Sequence, residues 1–200
     1  MKHAKKLIGL LLTLALVLSI SVTAFAAGGG NTITVTNAQG GETYTIYKML
    51  NLEVNEDKTA YAYTVNEKWT NFFTGSGEGT AYVTIDDLGY VTWNDDKKGT
   101  VDMIAFGKAA AAYAEDTTNS VSEVSSQTPV ADGDITFDNL APGYYLITST
   151  NGTKVIVDTT PTNPNPSIAE KNTNPTIDKT VEEDSGNKYG LSLIHISEPT

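Results

Sequence analysis

Between Ala27 and Gly190 the side chains able to do chemistry are carboxylates and lysines. With the three lysines of the signal-like N-terminus and Glu198 set aside, ten lysines and 23 acidic residues remain in that span, and the chain has neither arginine nor cysteine. The only histidines, His3 and His195, lie outside it. Nucleophile pairs of the Ser-His or Cys-His type are therefore missing, as is every ordinary zinc site. Paired carboxylates are the remaining enzymatic option, since glycoside hydrolysis needs two at a suitable separation. The candidates are Asp86, Asp87, Asp95 and Asp96, all in turn-like sequence where Asp is favoured for backbone reasons alone. Asp132-Gly133-Asp134 with Asp138 offers the hard oxygens calcium prefers, without the spacing of a helix-loop-helix site. The expectation is a protein that is not an enzyme and carries no metal and no cofactor. Ten lysines against 23 acids give a formal charge of −13, which leaves no basic groove for nucleic acid.

The elements that must position these groups are read from the N-terminus. Lys2, Lys5 and Lys6, an apolar run from Leu7 to about Val22, and Ala24-Phe25-Ala26 make a secretory signal peptide over residues 1–26, cut between Ala26 and Ala27. No later segment is apolar enough to cross a bilayer, so the mature fragment is expected to be exported without a membrane span. Without cysteine it has no disulfide framework. Alternating apolar and polar residues then predict strands at Thr32–Thr36, Thr43–Leu50, Ala60–Val65, Ala81–Ile85 and Tyr90–Trp93, with one helical turn at Trp69–Phe73. Val101–Glu115 reads as the one clear helix, capped by Thr100, with Met103, Ile104, Phe106, Ala110 and Tyr113 as its apolar side. Asp116–Gly133 reads as a long surface loop.

The stretch from Asp138 to Val181 closes the domain. Asp138–Ile147 and Lys154–Asp158 read as a hairpin turned at Asn151-Gly152, a pair suited to a type I′ turn. A Pro/Asn/Thr connector leads to Lys171-Asn172, and Pro175-Thr176-Ile177-Asp178-Lys179 reads as the first strand of a second, Ig-like module over residues 173–190. Residues 191–200 break this pattern and resemble the conceptual translation of a sequencing adapter, so the native chain is expected to continue past Gly190. The order of elements over residues 27–172 predicts an all-β domain, an Ig-like or prealbumin-like antiparallel sandwich with one inserted helix.

Five segments together resemble the first domain of a Gram-positive, sortase-assembled pilus backbone subunit of the fimbrial isopeptide-forming family. They are Ile33–Ala38, Thr43–Lys48, the Ala-rich helix, Leu140-Ala141-Pro142-Gly143-Tyr144-Tyr145-Leu146-Ile147, and Glu170-Lys171-Asn172 with Pro175–Lys179. In such pilins a lysine in a Tyr-Pro-Lys-Asn motif attacks the thioester of a sortase-bound neighbour, joining subunits by an isopeptide bond. Lys171-Asn172 matches the last two positions of that motif, while Ala169-Glu170 stands in place of Tyr-Pro. The resemblance thus implies Lys171 as the sortase acceptor, Lys179 as the lysine of an intramolecular isopeptide in the second module, and a location in the cell wall or on a surface pilus. The partners it implies are a sortase, neighbouring pilin subunits and a host surface. A non-polymerising, cell-wall-anchored adhesin domain is the alternative reading.

The related prealbumin-like pattern ends Gly-x-Tyr-x-aliphatic-x-Glu; here Gly143, Tyr145 and Ile147 fit, but Ser149 occupies the last position. No intramolecular isopeptide is therefore expected between Asn31 and Glu170, which leaves Lys48 as a rim or solvent-facing strand residue. The intact mass of the processed chain is expected to show no loss of ammonia or water attributable to this segment. A deficit of either, mapped between Asn31 and Glu170, would refute that expectation.

Overall fold

The computed structural model describes residues 30–54 and 60–172. Ten strands form two sheets: β1 (Asn31–Ala38), β2 (Tyr44–Val54), β3 (Tyr61–Val65), β4 (Val83–Ile85), β5 (Tyr90–Trp93), β6 (Ser125–Gln127), β7 (Gly133–Leu140), β8 (Gly143–Ser149), β9 (Lys154–Thr159) and β10 (Ser167–Ala169). The smaller sheet runs β10-β1-β7; the larger, seven-stranded one runs β4-β5-β3-β2-β8-β9, with β6 also paired to β2. Two α-helices, α1 (Thr70–Phe73) and α2 (Thr100–Glu115), lie between the strands in sequence. The domain is thus mostly β.

Two cores sit on opposite faces of the large sheet, and β2 belongs to both. Tyr44 and Ile46 pack against the small sheet with Ile33, Val35, Ile135, Phe137, Tyr145 and Ile147. A bulge then intervenes, because Lys48 pairs with Tyr145 but Leu50 pairs with the adjacent Tyr144. The extra residue turns the strand over. Met49, which follows Tyr47 by alternation, is thereby joined by Leu50 in the second core, with Trp69, Phe72, Phe73, Phe106 and Leu146. Alternation along β8 makes the same division without a bulge, since Tyr145 and Ile147 face one core and Leu146 the other.

The second core is aromatic and centres on Phe106 of α2. Its ring lies 5.0 Å from both Tyr82 and Trp93, 5.7 Å from Phe72 and 6.1 Å from Phe73, mostly edge to face. Gly107, next along the helix, lets α2 lie against β9: a Cβ there would stand 3.3 Å from the Lys154 carbonyl oxygen. Gly143 opens β8 at φ +147, and a Cβ would fall 2.1 Å from the Leu50 carbonyl oxygen. Only glycine fits that close approach.

Several expectations are corrected. The sandwich is not wholly antiparallel: β10, within the segment read as a connector, pairs parallel with β1. The stretch 116–133 is not all loop, since β6 pairs with residues 44–46 of β2. Thr100 is the first residue of α2 rather than its cap; Gly99 holds the cap position, with no side-chain cap bond. Ile104 is 53% exposed, while Ala111 and Ala114 are buried in its stead. The aromatic ring cluster needs only small residues beneath the rest of the helix, so the apolar face is narrower than hydrophobicity implies. The turn at Asn151-Gly152 places only Gly152 at positive φ, so it is not type I′. Instead Gly152 N–H donates to the Ser149 carbonyl and Ser149 N–H to that of Thr153, a wider turn.

Phe106→Ala is expected to cost about 3–5 kcal/mol, the range for removing a fully buried aromatic ring that its neighbours cannot refill. Denaturant unfolding would measure it, and a loss below about 1 kcal/mol would mean that the ring cluster collapses freely.

Candidate functional site

Lys171 stands exposed at one end of the domain, on a segment held by its neighbour. β10 ends at Ala169, and Glu170 N–H continues the parallel pairing by donating to the Thr36 carbonyl at 2.9 Å. The Glu170 side chain then turns inward and is only 7% exposed. Its Oε1 accepts the backbone N–H groups of Lys171 and of Asn172, each at 2.8 Å. The Thr153 hydroxyl, also buried, donates to the same carboxylate at 2.6 Å. Asn172 adds a further tie, donating from Nδ2 to Thr153 Oγ1 at 3.1 Å, and its carbonyl accepts from Gln39 Nε2. Gln39 in turn takes a bond from Asn151 Nδ2 at 3.3 Å. Three chain segments meet here: the β1–β2 turn, the β8–β9 turn and the segment leaving β10.

A buried charge is costly unless it is fully hydrogen-bonded, so this ring of donors is what permits Glu170 to be inside. Tyr44 lies beside this carboxylate. Burial pushes its phenol above the ordinary value, and the nearby Glu170 carboxylate adds to the rise, against an opposing bond from Gln39 N–H.

The other lysines are placed differently. Lys97 approaches Asp96 at 3.8 Å and Asp102 at 3.4 Å, and Lys98 bonds Asp95 at 2.6 Å. Lys68 and Lys108 are exposed on helical turns. Lys48 was expected at the rim or facing solvent, and it is half-buried. It lies in the row of Tyr44 and Ile46, with its Cε 3.0 Å from where a Gly143 Cβ would be. Burial lowers its pKa, and no acid is among the causes. Its neighbour across the ladder, Tyr145, donates its hydroxyl to the Ala141 carbonyl rather than meeting the amine.

The acidic candidates stabilise turns. Asp86 Oδ1 accepts from the N–H groups of Leu88 and Tyr90, Asp132 from Gly40 and Asp134 from Asn37. Asp95 and Asp96 face Lys98 and Lys97. Among the described residues no group of three His, Cys, Asp or Glu side chains is placed to hold a metal ion, and no helix is long and apolar enough to cross a membrane.

Asp158 went unremarked in the sequence, because a single aspartate in a strand carries no motif. Its Oδ2 accepts from the Tyr63 hydroxyl at 2.7 Å, beside the Tyr144 ring. Burial raises the carboxyl's pKa while the bond from Tyr63 opposes the rise, and the Tyr144 phenol is pushed up to about 12, chiefly by burial. The expected signal peptide with its cut between Ala26 and Ala27, the lysine Lys179 expected in a second module, and residues 191–200 lie outside the described residues. No protein-family model matches the chain, and no curated protein matches it significantly.

The lowered pKa of Lys48 gives a signed expectation. Its folded value lies below the ordinary 10.5, so between the two the unfolded chain holds more protons and stability rises with pH. The cost of the buried charge is fully present below the folded value and gone above the unfolded one. Lys48→Met is therefore expected to raise the Tm at neutral pH, with the gain shrinking as pH rises towards 10.5 and gone above it. A neutral-pH Tm that falls by several degrees would show the amine to be stabilising where it lies.

Proposed function

We propose that the domain is the N-terminal, Ig-like module of a covalent surface pilus subunit, and that Lys171 is the amine a sortase joins to the next subunit. The observation that carries this reading is the placing of Lys171. It is exposed, lies outside any helix or strand, and yet has its backbone N–H held by a buried carboxylate.

The reaction asks for that combination. A sortase holds the neighbouring subunit as a thioester on its cysteine. The lysine Nζ, once neutral, attacks the thioester carbonyl; the C–N bond forms, the C–S bond breaks, and the amine proton passes through the enzyme to the departing sulfur. The acceptor must reach into an enzyme cleft, which helical lysines such as Lys108 do poorly because the helix barrel fills the approach. Holding the segment still lowers the entropy cost of alignment. The acidic surface, with its excess of carboxylates, suits a protein kept soluble and apart at a cell exterior.

Incubation with a pilus-type sortase and a Leu-Pro-x-Thr-Gly peptide is expected to attach one peptide, mapped by mass spectrometry to Lys171, and Lys171→Ala is expected to abolish it. Attachment spread over Lys68 and Lys108, or none at all, would overturn the reading and favour a non-polymerising adhesin.

A further inference from the structure

The residue before the acceptor stands where the resemblance expects proline. Proline would fix the backbone by its ring. Glu170 fixes it by another means: it folds its side chain back and binds the next two backbone N–H groups through one oxygen. The other end of the tie is the Thr153 hydroxyl on the β8–β9 turn, and Asn172 closes the loop by donating to that same hydroxyl oxygen. Thr153 gives its single proton to the carboxylate and receives one from Asn172, so its capacity is matched on both sides.

We propose that Glu170 is a positioning residue for acylation of Lys171: its buried carboxylate fixes the main chain of the acceptor against the Thr153 turn, so that the amine projects from a rigid domain end into the sortase. This rests on the acceptor reading above. Glu170 does not touch the reacting atoms. It acts through the backbone, and it leaves the Lys171 side chain free in solvent. The consequence is a division of effects: loss of the tie leaves the amine as accessible to a small reagent as before but makes it a poorer substrate for the enzyme.

The test uses the full chain in four forms: wild type, Glu170→Gln, Glu170→Ala and Thr153→Val. Three quantities are read for each: the kcat and KM for the acceptor in sortase-catalysed attachment at Lys171, amide hydrogen exchange at Lys171 and Asn172, and acetylation of Lys171 by a small amine-reactive ester. In Glu170→Ala, kcat/KM is expected to fall about tenfold or more, mainly through KM, in keeping with the loss of hydrogen bonds to a charged group. Exchange at the two amides is expected to quicken by a similar factor, with β2 and β8 amides unchanged and the acetylation rate unchanged. Glu170→Gln keeps an acceptor oxygen for both N–H groups and is expected to recover most of the rate. Thr153→Val removes the hydroxyl that holds the carboxylate and is expected to reproduce the alanine effect, which also covers the case of an unfolded Glu170→Ala.

Wild-type attachment rates in both Glu170→Ala and Thr153→Val would overturn the positioning role while leaving Lys171 as acceptor. Unchanged exchange at Lys171 and Asn172 in those variants would overturn it as well. Failure of the wild type to be labelled at Lys171 would instead overturn the acceptor reading, and the positioning role with it.

Discussion

The pairing of β2 with β8 is the constraint on which the rest of the domain depends. Those two strands are the wall between the cores, so each must offer apolar side chains to both faces. β8 does so by strict alternation. β2 does so by alternation interrupted at Met49, which places Met49 and Leu50 together in the aromatic core after Tyr44 and Ile46 have faced the small sheet. A half-buried sheet face is stabilised by cover on its own side only; here both sides are covered, and burial on each side stabilises the pair that the other needs. Gly143 follows from the same geometry. It starts β8 under the Leu50 carbonyl, where any side chain would collide.

Lys48 shows what the alternation costs. It lies just before the bulge, in a row otherwise filled by Tyr44 and Ile46. Its aliphatic stem adds cover there while its amine is partly stripped of water, which is why its pKa falls. The opposite end of the same core holds Glu170, a buried charge with a full set of donors. Two ionisable groups on one core thus differ in kind: the carboxylate is satisfied by design of the surrounding backbone, and the amine is merely tolerated.

The functional reading depends on that carboxylate more than on the lysine it accompanies. An exposed lysine at a domain boundary is ordinary. An exposed lysine whose main chain is tied by a buried acid to a distant turn is less so, because the tie has to be kept against the desolvation of the charge. β10 makes the tie possible. Its parallel pairing with β1 brings the chain back across the small sheet and delivers Glu170 beside Thr153 and Tyr44.

The local patterns along the chain were sufficient to place most of the strands and both helices. Alternation marks β1, β2, β3 and β5, the Ala-rich run marks α2, and the Asn-Gly pair marks the reversal between β8 and β9, since each of these depends on neighbours a few residues away. The three-residue strands β6 and β10 were hidden, because Ser-Ser-Gln and Ser-Ile-Ala have no pattern of their own and become strands only through partners far along the chain, at β2 and β1. The same holds for the site. Lys171 could be singled out by its partial match to a motif, whereas the burial of Glu170 beside it was not legible, since its carboxylate meets Thr153 from 17 residues away. Spacing does place Lys48 in the row of Tyr44 and Ile46, but how far it is buried depends on what the rest of the fold lays over that face. Composition and periodicity determined that this is an acidic, cysteine-free β domain; the tertiary structure decided which polar side chains lie inside it, because burial is set by what the other sheet brings across and not by the residue's own neighbours.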